Sequence, residues 1–302
     1  MKKRILTLGL TVALAAASLA ACGGASTKTT EKKAEAGTKQ GSEKATEAAK
    51  EEKADAGELR TYKLGVNGSD HEEWEKANEL LAKDNIKLEM VEFSDYVKPN
   101  EALEDGEIDL NAFQTEIYFN NFVKERGYTD LGILAYTQVA PMGIYSSKYK
   151  SLDEATGHLI IAIPNDVTNG GRALKFLEKN GFLTLKKEAG LTPTVMDIEK
   201  YNKDVEIVEM VATQIPASLP DLSFACINNG VAKDAGLTLK NDAIVYEDYK
   251  EPDMKNYWNI IAAKKDRIES EDFQKIKKAY NSDEVKQVVL EHYDGQSIPV
   301  WD

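Results

Sequence analysis

Residues 159–174 read LIIAIPNDVTNGGRAL, and their pattern indicates the class of the fold. The apolar run from Leu159 to Ile163 predicts a buried strand, and the stretch after it, with Gly170 and Gly171, predicts a turn. Helical spacing of apolar residues then predicts a helix with Ala173, Leu174, Phe176 and Leu177 on its buried face. A buried strand that passes through a glycine-containing turn into a helix is typical of α/β folds with parallel strands.

The same turn carries the best candidate for a binding group, Arg172. Free backbone N–H groups at the start of a helix can hold a carboxylate, and a guanidinium binds a carboxylate through two parallel hydrogen bonds. Arginine is also scarce, since the chain has five Arg and 33 Lys. These observations indicate a carboxylate site, although a surface arginine after a structural turn fits the composition equally well.

The rest of the folded part repeats this alternation of strands and helices. Apolar or alternating runs predict strands at 62–66, 86–93, 108–113, 205–211, 224–228 and 260–263. Helical spacing predicts helices at 74–81, 99–103, 116–126, 272–280 and 283–292. A capping box of Ser69 and Glu72 is expected to begin the first helix. For about 245 residues we expect two doubly wound α/β lobes, with ligands at the carboxyl ends of the strands.

Composition excludes several classes of function. The 302 residues carry a formal net charge of −13, and such an acidic surface argues against nucleic acid, which needs a basic patch. Cys22 and Cys226 cannot form a disulfide framework, and the three histidines lack metal-ligand spacing. The sequence also lacks a nucleophile elbow, a phosphate-binding loop and a Cys-x-x-Cys motif. We therefore expect no enzyme, no metal site and no cofactor.

The N-terminus is predicted to be a secretory signal that spans residues 1–21. A basic start is followed by an uncharged apolar run and then by LAAC at 19–22, which resembles a bacterial lipobox. We expect cleavage before Cys22 and lipidation of its thiol, with an uncleaved membrane anchor as the alternative. Loss of the three basic residues of this leader lowers the formal charge from −13 to −16.

Residues 22–57 are predicted to be the lipid-anchor cysteine and a disordered tether. From Gly23 to Gly57 the chain has no Val, Ile, Leu, Met or aromatic residue. Such a segment cannot bury enough apolar surface to offset the entropy lost on ordering.

Other residues are weaker candidates for a binding site. Asn228 ends an apolar strand, where its amide oxygen could accept from an ammonium group; a left-handed turn residue is the alternative. An aromatic pocket for an apolar side chain could be formed by Tyr96, Phe113, Tyr118 and Tyr145. Ordinary core positions are the alternative for these aromatic residues.

Six stretches, taken in order, resemble one known family. They are FSDYVKPNEAL at 93–103, GEIDLNAFQ at 106–114, PMGIYS at 141–146, IPNDVTNGGRAL at 163–174, DLSFACIN at 221–228 and SDEV at 282–285. Together they are similar to the NlpA/MetQ family of substrate-binding lipoproteins, which serve ABC importers for methionine and related amino acids. The resemblance covers essentially the whole folded part of the chain.

The resemblance implies a bilobed periplasmic-binding-protein fold, type II-like, in which two doubly wound lobes are joined by a two-segment hinge. The expected lobes and hinge are lobe 1 at 58–140 plus 255–302, lobe 2 at 141–254, and crossings near Val139–Pro141 and Pro252–Asn256. It also implies a monomer, anchored through Cys22 on the extracytoplasmic face of a bacterial cell membrane. The implied ligand is L-methionine or a related amino acid, delivered to an ABC permease and its ATPase.

The site residues of the family transfer onto seven positions of this sequence. Arg172 is implied to hold the ligand carboxylate, Asn228 to contact the polar head of the amino acid, and Tyr96 to line the side-chain pocket. Further ligand contacts are implied for Asn111, Phe113, Tyr118 and Asn169.

Four positions depart from the family pattern. Thr115 and Ile117 stand where His and Pro are common, Ala140 where Glu or Tyr is common, and Val167 where Pro is usual. The residues implied to bind the ligand carboxylate match the family pattern, whereas positions near the ligand side chain are changed. An amino acid is therefore better supported as the ligand than methionine itself. The alternatives are the same fold with a dipeptide or another amino acid, and a surface interaction lipoprotein without a transport role.

Overall fold

The computed structural model describes residues 57–301. The predicted signal sequence, the lipidation site Cys22 and the predicted tether up to residue 56 lie outside the described residues. Strands and helices alternate along the described part of the chain, as the sequence predicts for an α/β fold.

The elements of this part are numbered in chain order. The strands are β1 Arg60–Asn67, β2 Ile86–Phe93, β3 Leu110–Asn111, β4 Leu131–Val139, β5 Gly143–Tyr145, β6 Leu159–Pro164, β7 Leu183–Leu185, β8 Ile198–Tyr201, β9 Val205–Met210, β10 Phe224–Ile227, β11 Ala243–Tyr246, β12 Trp258–Lys264 and β13 Ile298–Pro299. The helices are α1 Glu72–Leu81, α2 Lys98–Asp105, α3 Glu116–Arg126, α4 Val167–Lys179, α5 Ile215–Ser218, α6 Asn229–Asp234, α7 Lys265–Ile268, α8 Glu271–Tyr280 and α9 Asp283–His292. The bounds of β2, α3 and α9 are those predicted from the sequence.

The first sheet has six strands in the order β13-β4-β12-β3-β1-β2. Strand β1 runs parallel to β2 and β3, whereas β12 and β13 pair antiparallel with their neighbours. The core beside this sheet also includes residues of α1, α8 and α9. In that core, Trp74 of α1 packs on Tyr280 of α8, with ring centroids 4.3 Å apart.

The second sheet has five strands in the order β11-β5-β10-β6-β9. Strand β6 lies between β9 and β10 and is parallel to both, while β5 pairs antiparallel with β10 and β11. The apolar face of α4, including Leu174 and Leu177, packs with Phe224 in the core of this sheet. Cys226 is buried in the same core, and this burial raises the pKa of its thiol.

The chain crosses twice between the two sheets, and this makes the molecule bilobed. Lobe 1 is built on the first sheet and contains residues 60–139 and 258–299. Lobe 2 is built on the second sheet and contains residues 143–246. The crossings lie side by side, since Val139 of the first packs with Met254 and Tyr257 of the second. The predicted lobe boundaries, 140/141 and 254/255, fall within the crossings and stay predictions.

The turn predicted before Arg172 is not formed, because α4 begins at Val167 and contains both glycines. The helix starts early because the Asp166 carboxylate caps it, accepting from the backbone N–H of Asn169 at 2.8 Å. A Cβ on Gly170 would lie 2.7 Å from the carbonyl oxygen of Pro164, and one on Gly171 would lie 2.8 Å from the Cα of Thr192. The glycines therefore allow close packing of α4. Because α4 begins at Val167, Arg172 lies beyond the free N–H groups at the start of the helix.

Two other predictions from the pattern are wrong, and several strands were missed. Helix α1 follows His71 without a side-chain cap, so the capping box of Ser69 and Glu72 does not form. Strand β3 is two residues long, because the chain turns after it to reach Thr115, which caps α3. The strands that the sequence analysis did not predict are β4, β5, β7, β8, β11 and β13.

Candidate ligand-binding site

A cavity of about 660 Å³ has walls that come from both lobes. Lobe 1 contributes the three aromatic residues predicted for the site, and lobe 2 contributes three of the predicted polar ones. These six wall residues are Tyr96, Phe113, Tyr118, Asn169, Arg172 and Asn228. The tertiary structure thus brings together residues from four separate sequence motifs, with Tyr118 from the segment after the second. The seventh predicted residue, Asn111, is not part of the wall.

Arg172 is held by a buried ion pair with Glu247, which the sequence did not indicate. Its Nε donates to the two carboxylate oxygens at 3.0 and 3.1 Å, and its Nη2 donates to Oε2 at 2.5 Å. Nη2 also donates to the carbonyl oxygen of Ala140 at 3.0 Å. The guanidinium lies over the ring of Tyr257, 4.3 Å from its centroid. The side chain is therefore fixed where the two crossings between the lobes meet.

Glu247 is positioned by the end of β11. Its carboxylate accepts from the backbone N–H of Met142 at 2.6 Å, and its own N–H donates to the carbonyl oxygen of Met142 at 3.0 Å. Glu247 and Arg172 are 75 residues apart, and no local spacing pattern joins them. Among the described residues Nη1 of Arg172 makes no hydrogen bond. The N–H groups of that nitrogen therefore remain available as hydrogen-bond donors.

Asn228 precedes α6 and presents an unpaired acceptor. Its backbone has φ −59° and ψ 140°, so the alternative of a left-handed turn residue is wrong. Its Nδ2 donates to Oδ1 of Asn169 at 2.7 Å. Its own Oδ1 is buried and has no hydrogen-bond partner among the described residues. A buried acceptor in a cavity wall is suited to an N–H donor on a ligand.

Three aromatic rings form one side of the cavity. Ring centroids of Tyr96, Phe113 and Tyr118 lie 6.0–6.2 Å apart in a triangle. The Tyr118 hydroxyl donates to the carbonyl oxygen of Tyr96 at 2.8 Å. Burial raises the pKa of both tyrosine hydroxyls, and the nearby charge of Asp166 raises it further, so both stay neutral. Tyr145 instead lies in the core of lobe 2, because β5 directs it away from the cavity.

Asn111 lies behind the wall in a fully buried cluster of amides. Its Nδ2 donates to the carbonyl oxygen of Pro99 at 3.2 Å and to Oδ1 of Asn100 at 2.9 Å. Its Oδ1 accepts from Nε2 of Gln114 at 2.9 Å, and Gln114 does line the cavity. The structure therefore places Asn111 where it supports a wall residue.

The departures from the family pattern fall in different places. Thr115 and Ala140 line the cavity, whereas Ile117 packs against the small apolar cluster at the crossings. Thr115 also caps α3, since its Oγ1 accepts from the backbone N–H of Tyr118 at 3.3 Å. Val167 is exposed as the first residue of α4. Two of the four departures are thus able to change the shape of the site.

The lobes touch each other around the cavity. Nζ of Lys233, in lobe 2, lies 3.4 Å from a carboxylate oxygen of Asp70 and 4.5 Å from the ring centroid of Tyr293, both in lobe 1. On another contact, Nδ2 of Asn121 donates to Oγ1 of Thr168 at 3.1 Å. These contacts join the two lobes.

The described residues offer no metal site of the usual kind. Within residues 57–301, no group of three or more His, Cys, Asp and Glu side chains is placed to hold a metal ion. Asp70, for example, pairs with His292 and Lys233 instead. In the same part of the chain, no helix has the length and apolar character needed to cross a bilayer.

Comparison with known proteins agrees with this geometry. The sequence model of the NlpA lipoprotein family matches residues 62–301. The D-methionine-binding lipoprotein MetQ of Escherichia coli (strain K12) is 40% identical over 243 residues, which are 79% of this chain and 88% of that protein.

Two solved structures share the fold. A nutrient binding protein from Burkholderia cenocepacia bound to methionine has a TM-score of 0.75 and 35% identity, over 80% of this chain and 100% of that one. The substrate binding protein of a methionine transporter from Streptococcus pneumoniae has a TM-score of 0.75 and 38% identity, over 80% of this chain and 96% of that one. With a family match across nearly all of its folded part, this chain belongs to the NlpA lipoprotein family of substrate-binding proteins.

Proposed function

We propose that this chain binds methionine, or a related amino acid, in the cavity between its lobes and delivers it to an ABC permease driven by an ATPase. One observation carries the proposal: a buried guanidinium, an unpaired amide oxygen and three aromatic rings share the wall of one cavity. These groups suit a carboxylate, an ammonium group and an apolar side chain. Binding without chemical conversion is the proposed activity.

In the proposed complex, the ligand carboxylate bonds to Nη1 of Arg172 and the ligand ammonium donates to Oδ1 of Asn228. The side chain then lies on the triangle of Tyr96, Phe113 and Tyr118. Arg172 and Asn228 belong to lobe 2 and the aromatic triangle to lobe 1, so a bound amino acid joins the lobes. A ligand with contacts to both lobes favours the closed population over the open one.

The names of the relatives support methionine as the ligand, and the changes at Thr115 and Ala140 are the reason to test other amino acids. The full-length protein, freed of bound ligand by unfolding and refolding, is expected to show its largest thermal shift with methionine. A ligand at one hundred times its Kd stabilises the folded state by about 2.7 kcal/mol. The panel contains both enantiomers of methionine, the other amino acids and methionine-containing dipeptides. A larger shift with another amino acid would contradict methionine as the ligand.

A dipeptide is the second candidate, and further acceptors in the cavity wall favour it. The wall contains Asn67 and Asn229, whose buried Oδ1 atoms have no hydrogen-bond partner among the described residues. Asp234 adds a carboxylate to the same wall. These acceptors suit the amino terminus of a longer ligand. A dipeptide that outperforms every free amino acid in the panel would select this candidate.

We further propose that a lipid on Cys22 anchors the monomeric protein to the extracytoplasmic face of the cell membrane. Lipidation supplies a membrane address without any basic patch, which suits a chain of formal charge −13. Cys22→Ser is expected to move the protein from the membrane fraction to the soluble or uncleaved precursor fraction. The matched control is Cys226→Ser, because Cys226 is buried in lobe 2. Unchanged fractionation and mass of the Cys22 variant would overturn the proposed anchor.

A further inference from the structure

We propose that Asp166, which does not line the cavity, is a positioning residue for recognition of the ligand ammonium. It orients the amide of Asn169 and, through it, the amide of Asn228. The inference rests on the proposed function, because it needs a ligand with an amino group. The inferred role of Asp166 explains why the site would distinguish an amino acid from the same acid without its amino group.

The first step is the bond between Asp166 and Asn169. Nδ2 of Asn169 donates to the two carboxylate oxygens of Asp166 at 3.1 and 3.0 Å. An ionised carboxylate only accepts hydrogen bonds, so the amide of Asn169 has to turn its NH₂ group toward it. Burial raises the pKa of the Asp166 carboxyl, and the hydrogen bonds from Asn169 favour the charged form and oppose that rise.

The second step is the bond between Asn169 and Asn228. With its NH₂ group turned to Asp166, Asn169 presents Oδ1, which accepts from Nδ2 of Asn228 at 2.7 Å. The opposite orientation of Asn228 would bring two amide oxygens together and leave a buried donor without this partner. Asn228 lines the cavity, and its Oδ1 is thereby left as a buried acceptor without a partner among the described residues.

The chain of bonds explains an otherwise costly feature of the wall. Oδ1 of Asn228 is buried and has no partner among the described residues, and a buried acceptor without a donor is unfavourable. A ligand ammonium removes that cost by donating to it. A ligand that offers only acceptors at this point would meet an oxygen that cannot turn away without breaking the bond to Asn169 and bringing two amide oxygens together. Asp166 therefore contributes to specificity from behind the wall.

The test is Asp166→Asn, which changes one carboxylate oxygen into an NH₂ group. Asparagine is as good a helix cap as aspartate, so the start of α4 is kept. The new NH₂ group would face the NH₂ group of Asn169. The amides of Asn169 and Asn228 are then both expected to turn, so that Asn228 presents a donor to the cavity. Calorimetry on the full-length protein compares L-methionine with 4-(methylsulfanyl)butanoate, its analogue without the amino group.

We expect Asp166→Asn to weaken methionine binding by about tenfold or more, because the ligand loses a hydrogen bond from a charged group. The affinity for the analogue is expected to change by less than about threefold. An equal loss for both ligands would show a merely structural role and overturn the inference. Unchanged affinity for methionine would also overturn it, because the ammonium would then be held by another acceptor.

Two further variants keep the test decisive. Asp166→Ser retains a capping hydroxyl but has no carboxylate, and it should likewise reduce the preference for methionine over the analogue. Asp197→Asn is the matched control in the same lobe, because that carboxylate accepts from the backbone N–H of Thr194 at 2.8 Å and lies outside the cavity wall. The preference of the Asp197→Asn variant for methionine over the analogue should equal that of the unchanged protein. If the unchanged protein binds no methionine, the proposed function fails first and this inference with it.

Discussion

Replacing Glu247 with alanine is expected to lower the free energy of unfolding of the ligand-free protein by about 3–5 kcal/mol, because the buried guanidinium of Arg172 loses its counter-charge. The side chains of Glu247 and Arg172 are 11% and 3% exposed, so both charges are largely removed from water. The backbone N–H of Met142 also loses its acceptor, which lies 2.6 Å away. Urea unfolding followed by tryptophan fluorescence measures the change.

The matched control for this prediction is Glu251→Ala. Glu251 lies on the same crossing between the lobes and pairs with Lys179, which is on the same helix as Arg172. Both side chains of this second pair are about half exposed, and exposed ion pairs contribute only about 0–1 kcal/mol. Equal losses in the two variants would contradict burial as the cause.

A double variant separates the lost charge from the lost packing. Arg172→Met combined with Glu247→Met removes both charges and keeps apolar volume. Such replacements of a buried pair are often neutral or stabilising by about 1–4 kcal/mol. We therefore expect the double variant to be more stable than Glu247→Ala alone. A double variant that is less stable than this single variant would show that packing, and not the unpaired charge, dominates.

Arg172→Lys is expected to weaken methionine binding by about 2 kcal/mol or more, the range for losing one partner of a buried charge pair, which is roughly thirtyfold. Lysine keeps a positive charge opposite Glu247, but its single ammonium group lacks the planar fork of the guanidinium. It cannot bond in one plane to Glu247, to the carbonyl oxygen of Ala140 and to a ligand carboxylate. Calorimetry with L-methionine on the full-length protein measures the loss.

The control for the arginine exchange is Arg126→Lys. Arg126 pairs with Glu101 at 3.1 Å on an exposed part of lobe 1 and does not line the cavity. This variant should bind methionine as the unchanged protein does. If Arg172→Lys also binds with unchanged affinity, Arg172 does not hold the ligand carboxylate and the proposed binding mode is wrong.

Much of the candidate site was predictable because its residues lie in short motifs. Arg172 and Asn169 follow one strand, Asn228 ends another, and the aromatic residues lie near the start of α2 and α3. Parallel strands place their carboxyl ends at one edge of a sheet, so residues of this kind are expected to meet there. The motifs also carry the resemblance to the NlpA family, which the family match over residues 62–301 confirms.

Helix α4 shows where local pattern is an incomplete guide. Gly170 and Gly171 lower helix propensity and favour the prediction of a turn. In the structure they are helical, because Asp166 caps the helix ahead of them, and the lack of a Cβ lets them pack against Pro164 and Thr192. The approach of a distant segment decided the conformation, and spacing along the chain does not contain that information.

The sequence by itself determined the α/β class, the family, and six of the residues that line the cavity. Only the tertiary structure showed that Arg172 is neutralised by Glu247 and stacked on Tyr257, since these contacts join segments far apart in the chain. Only the tertiary structure placed Asn111 behind the wall, because neighbouring residues of a strand point to opposite faces and the pairing of β3 decides which face meets the cavity. Composition suggested a scarce free cation at residue 172, whereas the fold made Arg172 one half of a buried ion pair, in which a single guanidinium nitrogen makes no hydrogen bond within the described residues.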